Sequence, residues 1–387
     1  MAARFLPGNR LSLLRSGVEY FPALEAALDA ARSAVFLETY IYSGDATGRR
    51  IPRALCAAAS RGVAVQVMVD GFGARDMPDE LVEELKSAGA RLLVFRPEIF
   101  PFPWRRERLR RLHRKLAVVD DRVAFVAGIN IIDDADTPGQ RPPRYDYAVR
   151  IEGPVVGAVR EEAVRLWNRI ALARFERRWR VGHAHRAPRL PPRGSQNAAL
   201  VVRDNFRHRR DIEDAYLEAI GTAQQEIIIA SAYFFPGRRF RRALVAAAGR
   251  GVRVVLLLQG RVEYLLLHYA SRALYGTLLE AGVEIYEYHR SFLHAKVAVM
   301  DGHWATVGSS NIDPFSLLLA REANLIAEDR RFAAELRASL RAAIEQGARV
   351  VAKTSWFRQP LWRRIPYWIG YGLVRLIIGT FGPEGRF

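Results

Sequence analysis

The chain has one cysteine in 387 residues, Cys56. That excludes an internal disulfide and fits a reducing compartment or a disulfide-free design. The neighbours of Cys56 (Ala54, Leu55, Ala57, Ala58) read as a buried helix face and not as the setting of a nucleophile. Lysine is nearly as scarce. Lys86, Lys115, Lys296 and Lys353 are the only lysines among 59 basic residues, the rest being arginine, and there are eight histidines. Residues 1–15 hold no apolar run long enough for a signal peptide or membrane anchor, which argues against export by the usual route. Acidic residues are outnumbered: the net charge is +18 and the sequence pI about 10.6. Such a balance implies anionic partners, either nucleic acid or an anionic membrane surface. Half of the residues are hydrophobic, so the chain is globular, and its length allows one large domain or two of ordinary size.

The scarce residues recur together. His113, Lys115 and Asp120 form His-x-Lys-x4-Asp with Asn130 following, and His294, Lys296 and Asp301 repeat it with Asn311 following. The repeat extends beyond the motif. VFLETYIY (35–42) is echoed by EIIIASAYFF (226–235), LCAAASRGVAVQVMVD (55–70) by LVAAAGRGVRVVLLLQ (244–259), and LKSAGARLLVF (85–95) by LLEAGVEIYEY (278–288). Short β-branched apolar runs alternate with helical stretches, which predicts an α/β fold. A period this long is a domain duplication: two pseudo-symmetric halves with mixed sheets flanked by helices and one shared site. The expected boundaries are 1–170 for the first half, 171–197 for an Arg- and Pro-rich linker, 198–346 for the second half and 347–387 for a tail.

Asp120-Asp121 and Asp301-Gly302 stand between apolar runs and read as hairpin turns. If they are two-residue turns, His113 lies opposite Gly128 and His294 opposite Ser309. Strand alternation then puts His and Lys of each motif on one face, with Asn130 and Asn311 one diagonal step away. Asp120 and Asp301 fall in the turns, where they fix the turn or pair with a nearby base. Two ammonium groups and two amides can stabilise the charge that spreads over a phosphodiester in its transition state. One neutral imidazole attacks phosphorus to give a phosphohistidine, and the other, protonated, donates to the departing alkoxide. No metal or cofactor is required. A histidine so used needs a carboxylate to orient it, and Asp146 and Glu322, each before an apolar run, are the candidates. An isolated His-x-Lys is weak evidence, but two copies at matching places in a duplication are strong.

Two segments break the symmetry. Residues 98–112 put Ile99, Phe100, Phe102 and Trp104 beside arginines; the ordinary reading is a basic loop on the core, and a membrane-contacting loop is favoured. In the tail, the apolar stretch 365–381 is interrupted by Arg375 and glycines and sits at the low edge of spanning length. It reads as an interfacial helix anchored by Trp362, Arg363, Arg364 and Trp368, with a core or dimer helix as the alternative. Residues 264–275 form a third apolar candidate that core packing explains equally well.

The doubled motif with its trailing Gly-x-x-Asn resembles the phospholipase D superfamily, and nearly the whole chain resembles the short bacterial cardiolipin synthases. The match is carried by residues 8–11, 37–42, 70–73, 113–130, 146–150, 233–236 and 294–311. The resemblance implies metal-independent transfer of a phosphatidyl group between two phosphatidylglycerol molecules, giving cardiolipin and glycerol. Phosphatidylethanolamine is a further donor in this subgroup. It implies an active set of His113, Lys115, Asp120, His294, Lys296 and Asp301, assisted by Asn130 and Asn311. Family habit makes His113 the nucleophile, although symmetry keeps His294 open. The first half departs from the pattern in having Gly128-Ile129-Asn130, and so lacks the hydroxyl that Ser309 offers a phosphate. The location implied is the cytoplasmic face of the bacterial inner membrane, peripheral or monotopic. Rival readings are a phospholipase D-type hydrolase, a nuclease, or a lipid-binding protein with a degenerate site. The positive charge suits nucleic acid as well as lipid. The apolar stretches 99–104 and 365–381 would be costly to expose without a membrane, so nucleic acid is disfavoured as partner. Intact His and Lys in both halves count against a degenerate site. Oligomeric state is left open.

Overall fold

The computed structural model describes residues 3–97, 110–137, 139–182 and 190–381. The first half supplies β1 (Leu6–Arg15), β2 (Ala34–Thr39), β3 (Ala64–Asp70), β4 (Arg91–Phe95), the hairpin β5 (Lys115–Val119) and β6 (Val123–Ala127), the short β7 (Arg144–Tyr145) and β8 (Tyr147–Glu152). The second half repeats this with β9 (Gln196–Arg203), β10 (Glu226–Ser231), β11 (Arg253–Gln259), β12 (Glu284–Tyr288), the short β13 (Phe292–Leu293), the hairpin β14 (Lys296–Met300) and β15 (Trp304–Gly308), and β16 (Glu322–Glu328). A last strand, β17 (Ala348–Val350), is added beside β12.

The strand order within the halves is the same, β4-β3-β2-β5-β6-β8-β1 and β12-β11-β10-β14-β15-β16-β9. The inner parallel strands β2, β3, β10 and β11 are nearly continuous apolar runs because helices cover one face and the central core the other. Each Arg-Gly-Val string ends a helix and enters a strand; Gly62 and Gly251 adopt φ of 86° and 89°, a left-handed turn that glycine takes without strain. The sequence implies two sheets, one per half, but they are joined. β1 and β9 pair antiparallel through Leu6–Ala198 and Asn9–Gln196, with an irregularity between, and make one fifteen-stranded ladder. The inner faces of both halves share a core with the helices Val155–Ala173 and Arg330–Gly347, where Phe36, Leu116 and Val126 meet the same cluster as Ile228, Val297 and Val307. The outer faces have separate cores. Each fully buried side chain of this kind contributes about 1.5–3 kcal/mol, so the hairpins that lead to the motifs are held on both sides.

The hairpin turns correct the two-residue expectation. The ladder pairs Val119 with Val123 and Met300 with Trp304, which leaves three residues in each turn and shifts the register by one. β6 ends at Ala127 and β15 at Gly308, so the asparagines leave the ladder and do not sit diagonally from the histidines within it. In the segment read as a linker, the helix Val155–Ala173 runs into its start, Arg177–Trp179 forms one 3-10 turn and β9 begins at Gln196. The apolar-basic loop at 98–112 lies almost wholly outside the described residues. Cys56 is half-buried, with its thiol near the Glu84 carbonyl at 3.6 Å, and burial pushes it above its ordinary pKa.

The tail forms the helix Leu361–Phe381, and no described helix is long and apolar enough to cross a membrane. One face packs on the helix Leu265–Arg272, where Val374 joins Phe235, Ala270 and Leu274 in a small core and Tyr367 stacks on Trp356 at 5.6 Å. Its other face exposes Trp362, Ile365, Trp368, Ile369 and Leu373. The helix Leu265–Arg272 leaves Leu265 and Leu266 exposed as well, so core packing does not account for the whole of 264–275.

Candidate active site

Each motif histidine stands two residues before its strand, in chain tied to the opposite half. The Leu112 N–H donates to the buried Asp70 carboxylate at 2.8 Å, and the His113 N–H donates to the Arg321 carbonyl at 3.0 Å. In the second half β13 pairs parallel with β7, and the His294 N–H donates to the Tyr145 carbonyl at 2.9 Å. The residues after those two carbonyls are Glu322 and Asp146. His113 Nδ1 lies 2.9 and 3.1 Å from the Glu322 oxygens, and His294 Nδ1 lies 2.7 Å from Asp146 Oδ2. The carboxylates are therefore exchanged: each half orients the other half's histidine. Sequence proximity within a half would have paired them the other way.

The lysines are almost wholly buried. Lys115 Nζ donates to the His113 carbonyl at 2.5 Å and lies 5.5 Å from the Tyr40 ring centre, while that ring meets the His113 imidazole edge-on at 4.9 Å. Lys296 Nζ donates to Asp146 Oδ2 at 3.1 Å and to the His294 carbonyl, and lies 2.6 Å from His294 Nδ1. The two imidazoles thus differ. Among the described residues Nδ1 of His113 hydrogen-bonds to a carboxylate alone, which holds its proton there and leaves Nε2 as the nitrogen with a lone pair. Nδ1 of His294 faces both an acceptor and an ammonium group.

Burial dominates the titration of this cluster. It pushes Lys115 down to about 7, against the attraction of Glu322, and lowers Lys296 against that of Asp146. It lowers His113 although Glu322 opposes the change, and burial with the Lys296 charge pushes His294 down to about 3. Burial would raise Asp146, but Lys296 and His294 outweigh it and hold the carboxyl below its ordinary range.

Asn130 and Asn311 are both buried. Asn130 Oδ1 accepts from the Ile41 N–H at 3.1 Å and so fixes the segment that carries Tyr40. Asn311 Oδ1 has no partner among the described residues. The Ser309 hydroxyl donates to Glu322 Oε2 at 2.5 Å, so it steadies the carboxylate of His113 and is not presented to a phosphate as the resemblance implied. Its counterpart by register is Gly128, where a Cβ would come within 2.3 Å of Asp146 Oδ1. The shorter carboxylate occupies that space.

Asp120 and Asp301 are not brought to the cluster. Asp120 accepts from the N–H groups of Arg32, Ser33 and Ala34 at 2.7–3.0 Å, and Asp301 from those of Gln224, Gln225 and Glu226 at 2.8–2.9 Å. Both sit beyond the far end of a five-residue strand from the motif lysine, roughly 17 Å away. They hold the turn to the start of β2 or β10, as the alternation argument gave for the turn and unlike the contact role the resemblance carried over. Sequence reasoning assigned no role to Asp70, which also accepts from Phe72 and Gly73, to Tyr40, or to the buried pair Arg114–Glu38 at 2.5 and 2.9 Å. Arg114 is the middle residue of His-x-Lys, a position whose identity the motif does not specify.

Fold and site together define a duplicated α/β protein whose two halves bring paired histidines and lysines into one buried cluster with exchanged carboxylates. Residues 24–165 and 216–344 match the family described as cardiolipin synthase, PLD-like domain. The chain is 42% identical over 362 residues to cardiolipin synthase B of Shigella flexneri, covering 94% of this chain and 87% of that protein. It is 28% identical to the major cardiolipin synthase of Bacillus subtilis, covering 94% and 74%. Among solved structures, the phosphatidylserine synthase of Haemophilus influenzae shares the fold with a TM-score of 0.71 at 14% identity, covering 98% of this chain and 96% of that one. The chain belongs to the cardiolipin synthase family of phospholipase D-like proteins.

Proposed function

We propose that this chain is a cardiolipin synthase that transfers a phosphatidyl group from one phosphatidylglycerol to another without a metal. His113 Nε2 attacks phosphorus, the bond from phosphorus to the glycerol oxygen breaks, and His294 gives that oxygen its proton. The primary hydroxyl of a second phosphatidylglycerol then gives its proton to His294 and attacks phosphorus, and the bond to His113 breaks. Lys115, Lys296 and the Asn311 amide hold the phosphoryl oxygens. Asp146 and Glu322 orient the two imidazoles, Ser309 steadies Glu322, and Asn130, Asp120 and Asp301 act through the backbone they fix. In the free enzyme burial keeps both imidazoles neutral. The entering phosphodiester anion offsets the Lys296 charge and moves His294 toward its protonated form.

The observation that carries this reading is the exchange of carboxylates between the halves. It gives each histidine a carboxylate from the other half, and among the described residues the hydrogen-bonding partner of His113 Nδ1 is a carboxylate without an ammonium group beside it. Phosphatidylethanolamine fits as a further donor, because the transferred group is the same and only the leaving alcohol differs. Membrane association follows from the family. The exposed apolar face of Leu361–Phe381 supports a peripheral or monotopic position, and the cytoplasmic face of the inner membrane is the side proposed from the family resemblance. A hydrolase or nuclease of the same fold is not favoured by relatives at this identity.

The test offers purified protein phosphatidylglycerol vesicles and, separately, labelled oligonucleotide, both with chelator. Cardiolipin and free glycerol are expected. Phosphatidic acid alone, or cut oligonucleotide with no lipid turnover, would overturn the assignment.

A further inference from the structure

The halves match in register closely enough to compare position by position. Val35 pairs with Val119 as Ile227 pairs with Met300, and the Thr39 and Ser231 hydroxyls each donate to the carbonyl two residues on, at 2.9 and 2.8 Å. By that register Ala232 stands where the first half has Tyr40, and Gln259 stands where it has Asp70. In the first half both places are filled. The Tyr40 ring packs on His113, and Asp70 accepts from the N–H groups of Leu112, Phe72 and Gly73.

In the second half they are open. A cleft open to solvent is lined by Ala232, Tyr233, Gln259, Glu263, Tyr264 and His268, among others. Ala232 is one step from the chemistry, since its N–H donates at 2.9 Å to the carbonyl of Ala295, the residue between His294 and Lys296. Gln259 is only 9% exposed, yet its Nε2 has no acceptor among the described residues. A buried amide in that condition is costly and marks a place where an acceptor belongs. Across the cleft the Tyr233 hydroxyl donates to Glu263, leaving the carboxylate's other acceptor positions for a hydroxyl donor. Burial raises the Glu263 carboxyl while Arg144 and Lys296 pull against it, so this pair lies within the field of the reacting groups.

We infer that the cleft beside His294 is a polyol subsite, in which Gln259 and the Tyr233–Glu263 pair bind the hydroxyls of a glycerol head group. This deepens the proposed synthase reading and rests on it. His294 is the residue that exchanges a proton with the alcohol, and the cleft wall at Ala232 is hydrogen-bonded to the residue that follows it. In the second step the bound alcohol's oxygen bonds to phosphorus, its proton passes to His294 and the phosphorus–His113 bond breaks. Water has no further hydroxyls to engage the cleft, which favours transfer over hydrolysis. Free glycerol and lipid-borne glycerol present the same chemistry.

The experiment measures two ratios for the full-length protein on phosphatidylglycerol vesicles. One is cardiolipin formed per phosphatidic acid; the other is labelled free glycerol exchanged into phosphatidylglycerol per phosphatidic acid. Gln259→Leu removes the amide, Tyr233→Phe removes a hydroxyl with little change of shape, and Ala232→Tyr fills the cleft as the first half is filled. Each is expected to lower the ratios about tenfold, whereas a merely structural defect lowers transfer and hydrolysis together. A fall in both ratios assigns the cleft to glycerol from either source; a fall in cardiolipin alone assigns it to the lipid-borne polyol. Ratios at wild-type values in Gln259→Leu and Tyr233→Phe overturn the subsite and leave the synthase reading intact, as does a ratio lowered equally with ethanolamine as acceptor. A wild-type protein that forms no cardiolipin overturns both.

Discussion

His113 and His294 occupy equivalent positions in the repeat, and their surroundings set them apart. Among the described residues the Nδ1 of His113 hydrogen-bonds to Glu322 alone, while that of His294 is shared by Asp146 and Lys296. With an activated diester whose leaving group needs no proton, His294→Ala should still form a phosphoenzyme and His113→Ala should not. Mass spectrometry of the quenched protein reads this directly, and an adduct on His113→Ala would reverse the roles. Titration gives a second expectation. Lys115 has a pKa of about 7, depressed by burial from its ordinary 10.5, so it loses its charge as pH rises through neutrality. Since kcat/KM reports the free enzyme, it should fall about tenfold per pH unit above that point. A flat profile from pH 7 to 9 would show that Lys115 stays charged. The same shift has a sign for stability. The unfolded chain holds this proton up to about 10.5 and the folded one only to about 7, so burying Lys115 costs stability progressively as pH falls through that window. The histidines and lysines could be read from the sequence because rare residues recur at fixed spacing. The pairing of Glu322 with His113 and Asp146 with His294 could not, because the exchange depends on two inter-half backbone hydrogen bonds that leave no local pattern.

At the scale of elements, the hairpins show both how far turn chemistry reaches and where it stops. Asp-Gly and Asp-Asp correctly marked turns with left-handed backbone: φ is 53° and 54° at Asp120 and Asp121, and 49° and 63° at Asp301 and Gly302. The length was misread because the aspartate carboxylates bind three consecutive N–H groups of a neighbouring segment, and the turn widens to deliver them. A one-residue shift then carried the asparagines out of the ladder. The residue after β6 has its own consequence. Gly128→Ala puts a methyl group within 2.3 Å of Asp146 Oδ1 in the present geometry, so the carboxylate of His294 must move while the outer cores are untouched. A displacement of that size at an orienting group predicts a loss of about a hundredfold in kcat. Circular dichroism should stay native, and Ser309→Ala, which leaves Asp146 alone, should cost less. Equal losses in the two variants would show that the space at Gly128 does not matter.

The halves of the molecule interlock through the β1–β9 ladder, a common core and exchanged carboxylates, so the duplication yields one site instead of two. The parts without a counterpart give the molecule a direction. The terminal helix covers Leu265–Arg272 with one face, and the opposite face presents Trp362, Ile365 and Ile369, three and four residues apart, with Leu265 and Leu266 also exposed. Tyr264, at the start of that same helix, lines the cleft next to His294. A bilayer that received this apolar face would meet the protein close to the opening through which a head group enters. Interrupted by Arg375 and glycines, the stretch reads from composition as an amphipathic helix, but which face it buries depends on a helix nearly a hundred residues earlier. Replacing Trp362, Ile365 and Ile369 together with serine removes three large apolar groups, each worth about 1.5–3 kcal/mol when fully buried. Even partial insertion therefore predicts at least a hundredfold weaker partitioning to phosphatidylglycerol vesicles, read by co-sedimentation, with a matching loss of turnover on vesicles. Turnover of a short-chain phosphatidylglycerol offered below its aggregation threshold should remain, because the site itself is unchanged. Undiminished co-sedimentation at moderate salt would place the membrane contact on another face and leave the terminal helix a purely structural cover for Leu265–Arg272.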